Sequence, residues 1–234
     1  MFQEKKKLFV SIIFRIIAIA VGFIGLIENV QGRDEFMSNP ILYFTVQSNI
    51  WAMALFVITL VFEFIRLTKG AYTPPKWFCY VRFAFSTAIM LTFLIFSGLL
   101  TPALVSIGMS SYLLTATNII CHYITPLLTI FDFFFYDFGE KYGKKSFWLG
   151  LVMPLYYLGF WVVCVLLGVR FVGIDGVESV APYFFLDFEA NGWISIGNGK
   201  IGVVYWMGIV LLLVIGMSFG TYKLKLMTLK KRGE

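Results

Sequence analysis

Ile201-Gly-Val-Val-Tyr-Trp-Met-Gly-Ile-Val-Leu-Leu-Leu-Val-Ile-Gly-Met-Ser-Phe219 carries no charged residue over its whole length. At 1.5 Å of rise per residue such a run reaches across roughly 30 Å of hydrocarbon as a helix. Five more segments of the same kind precede it, approximately Leu8–Ile27, Ile41–Ile65, Phe83–Leu100, Leu113–Phe135 and Phe147–Gly168. The reading is an all-α chain, one polytopic membrane domain over residues 1–234 with six transmembrane helices. Composition agrees: 59% of residues are hydrophobic and 14% charged, whereas soluble domains carry about 25% charge.

The first run needs a check against a signal peptide. Lys5, Lys6 and Lys7 precede it, and Ala18-Ile19-Ala20 resembles a cleavage site. Arg15 interrupts the apolar core of such a peptide, and the run continues to Ile27, so a retained helix is expected.

Basic residues set the orientation. Lys5, Lys6 and Lys7, then Arg66, Lys69, Lys76 and Arg82, then Lys141, Lys144 and Lys145, and finally Lys223, Lys225, Lys230, Lys231 and Arg232 fall on one side. Only Arg33, Arg170 and Lys200 fall on the other. Both termini are therefore expected in the cytoplasm. The net charge of +6 reflects these anchors, and no nucleic-acid partner is expected. Cys79, Cys121 and Cys164 lie among apolar neighbours, and one histidine cannot build a zinc site, so no metal and no cofactor are expected.

Three outer connections follow: a short polar one near Asn29–Pro40, an uncharged one over Thr101–Tyr112, and a long one over Val169–Lys200. The last holds Ala181-Pro182-Tyr183-Phe184-Phe185-Leu186-Asp187, which reads as interfacial anchoring or as a lid over a site.

Polar residues inside spans are costly and carry the functional information. His122 is the only histidine and lies roughly 13 Å deep in the fourth span. Asn118 shares its face. Pro126 removes the helical partner of the His122 carbonyl, so a kink is expected there. At the start of the second span, Thr45, Ser48 and Asn49 share one face, with Gln47 off it. Interhelical hydrogen bonding accounts for either feature alone. Both spans descend from the outer side, so the two features share the outer half of the bilayer. A hydroxyl, a base and amide donors (Gln47, Ser48, Asn49 and Asn118) make an acyl-transfer set. No acid partner for His122 lies nearby in its own helix. Asp187 or Glu189 from the long outer connection can supply one, or form part of a lid. Arg15, Glu63 and Asp132 fall at one depth in the inner half and read as a structural ion pair.

The stretches Tyr43-Phe44-Thr45-Val46-Gln47-Ser48-Asn49, His122-Tyr123-Ile124-Thr125-Pro126-Leu127-Leu128 with Asp132, and Pro182-Tyr183-Phe184-Phe185-Leu186-Asp187 with Gly192-Trp193 resemble the androgen-induced multipass membrane threonine hydrolases, in particular their bacterial branch. The resemblance implies a catalytic threonine at Thr45 and a catalytic histidine at His122. It also implies a lipid-ester substrate; characterised animal members act on fatty acid esters of hydroxy fatty acids. The setting it implies is the plasma membrane of a bacterium, with membrane lipids as partners. Gln47 and Asn49 make the threonine stretch more amide-rich than the animal motif. Two other readings stand beside the hydrolase: a transporter of ions or small molecules using Arg15, Glu63 and Asp132, and a non-catalytic lipid-binding scaffold. No inverted repeat or pair of broken helices supports the transporter.

Overall fold

Polar side chains are buried in this protein and large apolar ones face outward, the reverse of a soluble core. Arg15, Ser48, Asn49, Thr59, Arg82, Ser86, Thr87 and Thr125 are fully buried, while Ile16, Val61, Leu127, Leu155 and Leu212 lie on the outer surface. Lipid offers a polar group no hydrogen bond, so such groups turn inward toward one another. The structure is a computed structural model that describes residues 2–31, 39–70, 72–136, 141–172, 176–197 and 199–231. Arg33 and Arg232, both counted in the charge asymmetry, lie outside the described residues, as does most of the first outer connection.

Among the described residues six helical stretches are long and apolar enough to cross a membrane: Lys6–Gln31, Phe44–Lys69, Lys76–Ser106, Ala116–Phe135, Ser146–Leu166 and Val203–Lys231. The expected six-span all-α architecture is present. In finer detail the first span lies within α1 (Phe2–Gln31), and the second is α2 (Phe44–Lys69). The third is α3 (Lys76–Ile95), a π turn at Phe96–Leu100 and α4 (Thr101–Ser106). A short helix α5 (Ser110–Leu113) leads to the fourth span, made of α6 (Ala116–Ile119), a π turn at Ile120–Ile124 and α7 (Thr125–Phe135). The fifth opens as a 3-10 segment, Ser146–Leu151, and continues as α8 (Val152–Leu166). The sixth is α10 (Val203–Lys231), preceded by the small helix α9 (Phe188–Asn191).

The third span is the hub. It packs on the second, on the fourth, on the opening of the fifth and on the sixth, and its Phe83, Ala88 and Ile89 are wholly buried. The first span lies against the second and fourth. Gly22 and Gly25 permit this approach: a Cβ at Gly25 would run into the side chains of Ile120 and Cys121, and one at Gly22 into Met53.

Two boundaries differ from the hydropathy reading in ways that matter. The third span begins at Lys76, directly after Pro74-Pro75, rather than at Phe83, so Arg82 belongs to the span and is fully buried. The sixth continues past Phe219 to Lys231 and buries Lys225. Hydropathy ends a span at the first charge, but a helix continues while its backbone bonds are satisfied. The third span also runs on to Ser106, so part of the Thr101–Tyr112 connection is helix.

The long outer connection folds onto the bundle. It contains two short antiparallel hairpins, β1 (Phe171–Val172) with β2 (Glu178–Ser179) and β3 (Ile196–Gly197) with β4 (Lys200–Ile201), and a 3-10 turn at Phe184–Leu186. The Trp161 indole N–H donates to the Val180 carbonyl at 3.0 Å, and the Tyr43 hydroxyl donates to the Val172 carbonyl at 3.0 Å. Its own Phe171, Ala181, Phe185 and Leu186 are buried against the bundle.

Candidate active site

The start of α2 is held by side chains because its carbonyls and amides sit where water is scarce. Asn39 Oδ1 accepts from the Ile41 amide at 3.1 Å and caps the 3-10 turn Pro40–Leu42. Gln47 Nε2 donates to the Ile41 carbonyl at 2.8 Å, and the Tyr157 hydroxyl to the Leu42 carbonyl at 2.8 Å. Thr45 follows in the first turn of a 26-residue helix. N–H groups of a first turn lack intrahelical partners and give the end a partial positive charge.

The amide-rich cluster after Thr45 holds helices together. Asn49 Nδ2 donates to the Thr45 carbonyl at 2.8 Å and to the Cys121 carbonyl at 3.0 Å, which ties α2 to the residue before His122. Ser48 Oγ donates to the Thr45 carbonyl at 2.9 Å and lies 2.7 Å from Thr92 Oγ1. Asn118 Nδ2 donates to the Tyr112 carbonyl at 2.7 Å and to Thr115 Oγ1 at 3.0 Å. Gln47, Ser48, Asn49 and Asn118, read as oxyanion or pocket residues, donate here to backbone carbonyls and neighbouring hydroxyls. Of the four only Asn118 lines the cavity described next.

His122 sits inside the π turn Ile120–Ile124. Pro126 supplies the cause, since it cannot donate to the His122 carbonyl and the ladder widens by one residue to pass it. The imidazole is buried and lies flat on Phe96, with ring centroids 3.6 Å apart and planes 17° from parallel. Its Nδ1 is 3.2 Å from the Asn118 carbonyl. A carbonyl only accepts, so Nδ1 carries the proton and Nε2 keeps its lone pair. That is the tautomer of a base.

Thr45 and His122 line one cavity of about 500 Å³, shared with Asn29, Tyr112, Asn118 and Tyr183. Thr45 also lines a second, almost wholly apolar cavity of about 260 Å³. Thr45, Leu100 and Tyr183 stand on the border between them.

Tyr183 arrives from the long outer connection. Its phenol lines the same cavity as Thr45 and stands near the Thr45 side chain and the Thr45 and Phe44 amides. Burial pushes its phenol up to about 12, although those three donors pull the other way. The connection thus reaches the site through a phenol and not through a carboxylate. Asp187 caps α9, accepting from the Ala190 amide at 2.9 Å and from Ser179 Oγ at 2.8 Å. Glu189 pairs with Arg170 on the surface at 2.6 Å. Neither lines the His122 cavity, which corrects their reading as acid partners. Tyr183 was missed because an aromatic loop residue carries no signal of what it covers.

The inner half holds the charges. Arg15 pairs with Glu63, and its Nε lies 2.6 Å from Asp132 Oδ1. Ser11 also donates to Glu63. Arg82 joins in, donating to Asp132 Oδ2 at 3.0 Å and to the Asp132 and Tyr136 carbonyls at 2.7 and 2.6 Å. Lys225 donates to the Phe133 carbonyl at 2.6 Å. The expected Arg15, Glu63 and Asp132 grouping is present, and the network is larger than hydropathy suggested. Arg82 had a legible signal: Ser86 shares its helical face, a polar pair that no cytoplasmic loop requires. Among the described residues no group of histidine, cysteine and carboxylates is arranged to hold a metal ion.

Comparisons with protein-family models, with curated proteins and with solved structures give no match to this chain.

Proposed function

We propose that this protein is an intramembrane hydrolase of lipid esters in which Thr45 is the nucleophile and His122 the base. One observation carries the reading. The only histidine, in the tautomer of a base, opens onto the same outer cavity as a threonine at a helix N-terminus.

His122 Nε2 takes the Thr45 proton, directly or through one water in the cavity. Thr45 Oγ1 attacks the ester carbonyl, and the carbonyl oxygen becomes an oxyanion. The Tyr183 hydroxyl, beside the positive end of α2, is the donor for it. The ester C–O bond breaks, the proton on His122 goes to the departing alcohol, and acyl-threonine remains. Water, activated by the same imidazole, releases the acid and restores Thr45. The proposal includes the resemblance-based setting: a bacterial plasma membrane, both termini cytoplasmic, and a fatty acid ester of a hydroxy fatty acid as one substrate type.

The inner ion network does not favour a transporter. Each arginine is permanently charged, and Asp132 bridges two of them, an arrangement suited to fixing helices.

Ester hydrolysis by purified full-length protein tests the proposal. Thr45→Ala and His122→Ala are each expected to lose at least about 10³-fold in kcat. Turnover by either variant at the wild-type rate refutes it.

A further inference from the structure

The two cavities meeting at Thr45 differ in polarity: the smaller is almost wholly apolar, whereas the larger sets Asn29, Tyr112, Asn118 and His122 among apolar walls such as Phe96 and Ile107. The smaller one is walled by Leu91, Ile95, Leu151, Leu158, Met207 and Val210. Leu155 and Leu211 also line it, yet they are 54% and 44% exposed, so its mouth lies between the fifth and sixth spans and faces lipid. Leu211 is eight residues into α10, about 12 Å below its outer end. The chamber therefore descends from Thr45 toward the bilayer centre. The larger one is bordered by Asn29, Ser106, Tyr112, Asn118 and His122. Ile107, Tyr112 and Tyr183 belong to the outer connections, so it opens upward, to the headgroup region.

We infer that the site divides an outer-leaflet ester lipid at Thr45, with its acyl chain hanging in the apolar chamber and a polar alcohol held in the outer one. The inference rests on the Thr45 hydrolase reading and adds which half of the ester goes where. An acyl chain enters sideways from lipid without crossing water, because its chamber already opens there. A polar alcohol keeps its hydroxyls among Asn29, Tyr112 and Asn118 instead of losing them to hydrocarbon. A wholly apolar alcohol, with no hydroxyl or carboxylate beyond the ester, would displace water from this chamber without replacing its hydrogen bonds, and a site of this kind discriminates against it. The acid returns to the bilayer and the alcohol leaves at the outer face.

Gly208 makes the test clean. It lines the apolar chamber, and a Cβ there meets nothing within 4 Å. Gly208→Phe therefore adds a ring at the chamber wall with no clash at its Cβ, and Val210→Phe enlarges a second side chain that lines the chamber. Full-length wild type and variants are assayed on glycerol monoesters of butanoic and hexadecanoic acid, and on the hexadecyl ester of hexadecanoic acid. Wild type is expected to favour the glycerol ester of hexadecanoic acid over its hexadecyl ester by about tenfold or more in kcat/KM. Each phenylalanine variant should lower the ratio of kcat/KM on hexadecanoyl glycerol to that on butanoyl glycerol by about tenfold. Ala103→Trp, on the outer chamber, should instead lower both glycerol esters alike. The assignment is overturned if both phenylalanine variants affect the two chain lengths equally or not at all, or if the hexadecyl ester is the better substrate. If wild type cleaves none of these esters, or Thr45→Ala cleaves them as well, the hydrolase reading itself fails. Cleavage that requires Thr45 but ignores Gly208→Phe and Val210→Phe removes the chamber assignment alone.

Discussion

His122 presents one nitrogen to the Asn118 carbonyl, and its place as a polar residue deep in the fourth span was legible in the sequence. Thr45 was legible for the same reason, a polar residue where lipid tolerates few. Tyr183 was not, because its approach to Thr45 depends on how the connection between the fifth and sixth spans folds back. Its contribution is separable. Tyr183→Phe keeps the ring and removes one donor, so kcat should fall about 10²-fold with KM little changed. Single-turnover assays will show it, and a KM change alone would argue for a purely packing role. The pH dependence of stability follows from the same phenol. Folding raises its pKa to about 12, so the folded state holds this proton more tightly than an unfolded tyrosine near about 10. Its stabilisation is complete below about pH 10 and is lost as pH rises toward about 12. Thermal stability should fall over that window in wild type and less in Tyr183→Phe.

At the scale of elements, the fourth span was readable as a helix interrupted near His122, but not the form of the interruption. Proline forbids a hydrogen bond; whether the helix kinks or widens depends on what packs beside it. Here the answer is a π turn, and the third span has its own at Phe96–Leu100, also followed by Thr-Pro at Thr101-Pro102. Phe96 of one turn stacks on His122 of the other. Pro126→Ala restores the donor and lets the turn tighten, which rotates His122 away from the cavity. Activity should fall about 10²-fold while the unfolding temperature holds or rises. Equal activity would show that the π turn does not position His122. The inner network obeys a different logic. Asp132→Asn leaves Arg15 and Arg82 without their shared carboxylate and should cost about 3–5 kcal/mol, read as a lower unfolding temperature in detergent. Arg82 and Lys225 escaped the sequence reading because charge near a span end looks like an anchor whether or not the helix carries it inward.

The whole molecule separates its polar groups along the bundle: the two cavities with Thr45 and His122 toward one end, interlocked charges toward the other. Six spans and their order were legible from hydropathy, because lipid imposes one pattern on all of them. The meeting of two cavities at one hydroxyl was not, because a cavity is a property of packing between spans distant in sequence. The orientation that puts the chambers outside has its own check. Ile107→Cys should react with an impermeant maleimide on intact cells, and Lys69→Cys only after permeabilisation. The most direct test of the central claim is mass-spectrometric location of a fluorophosphonate adduct on the full-length protein. The account predicts the adduct on the Thr45 hydroxyl, and its loss in a folded His122→Gln variant. An adduct on any other residue, or undiminished labelling of Thr45→Ala, would contradict it.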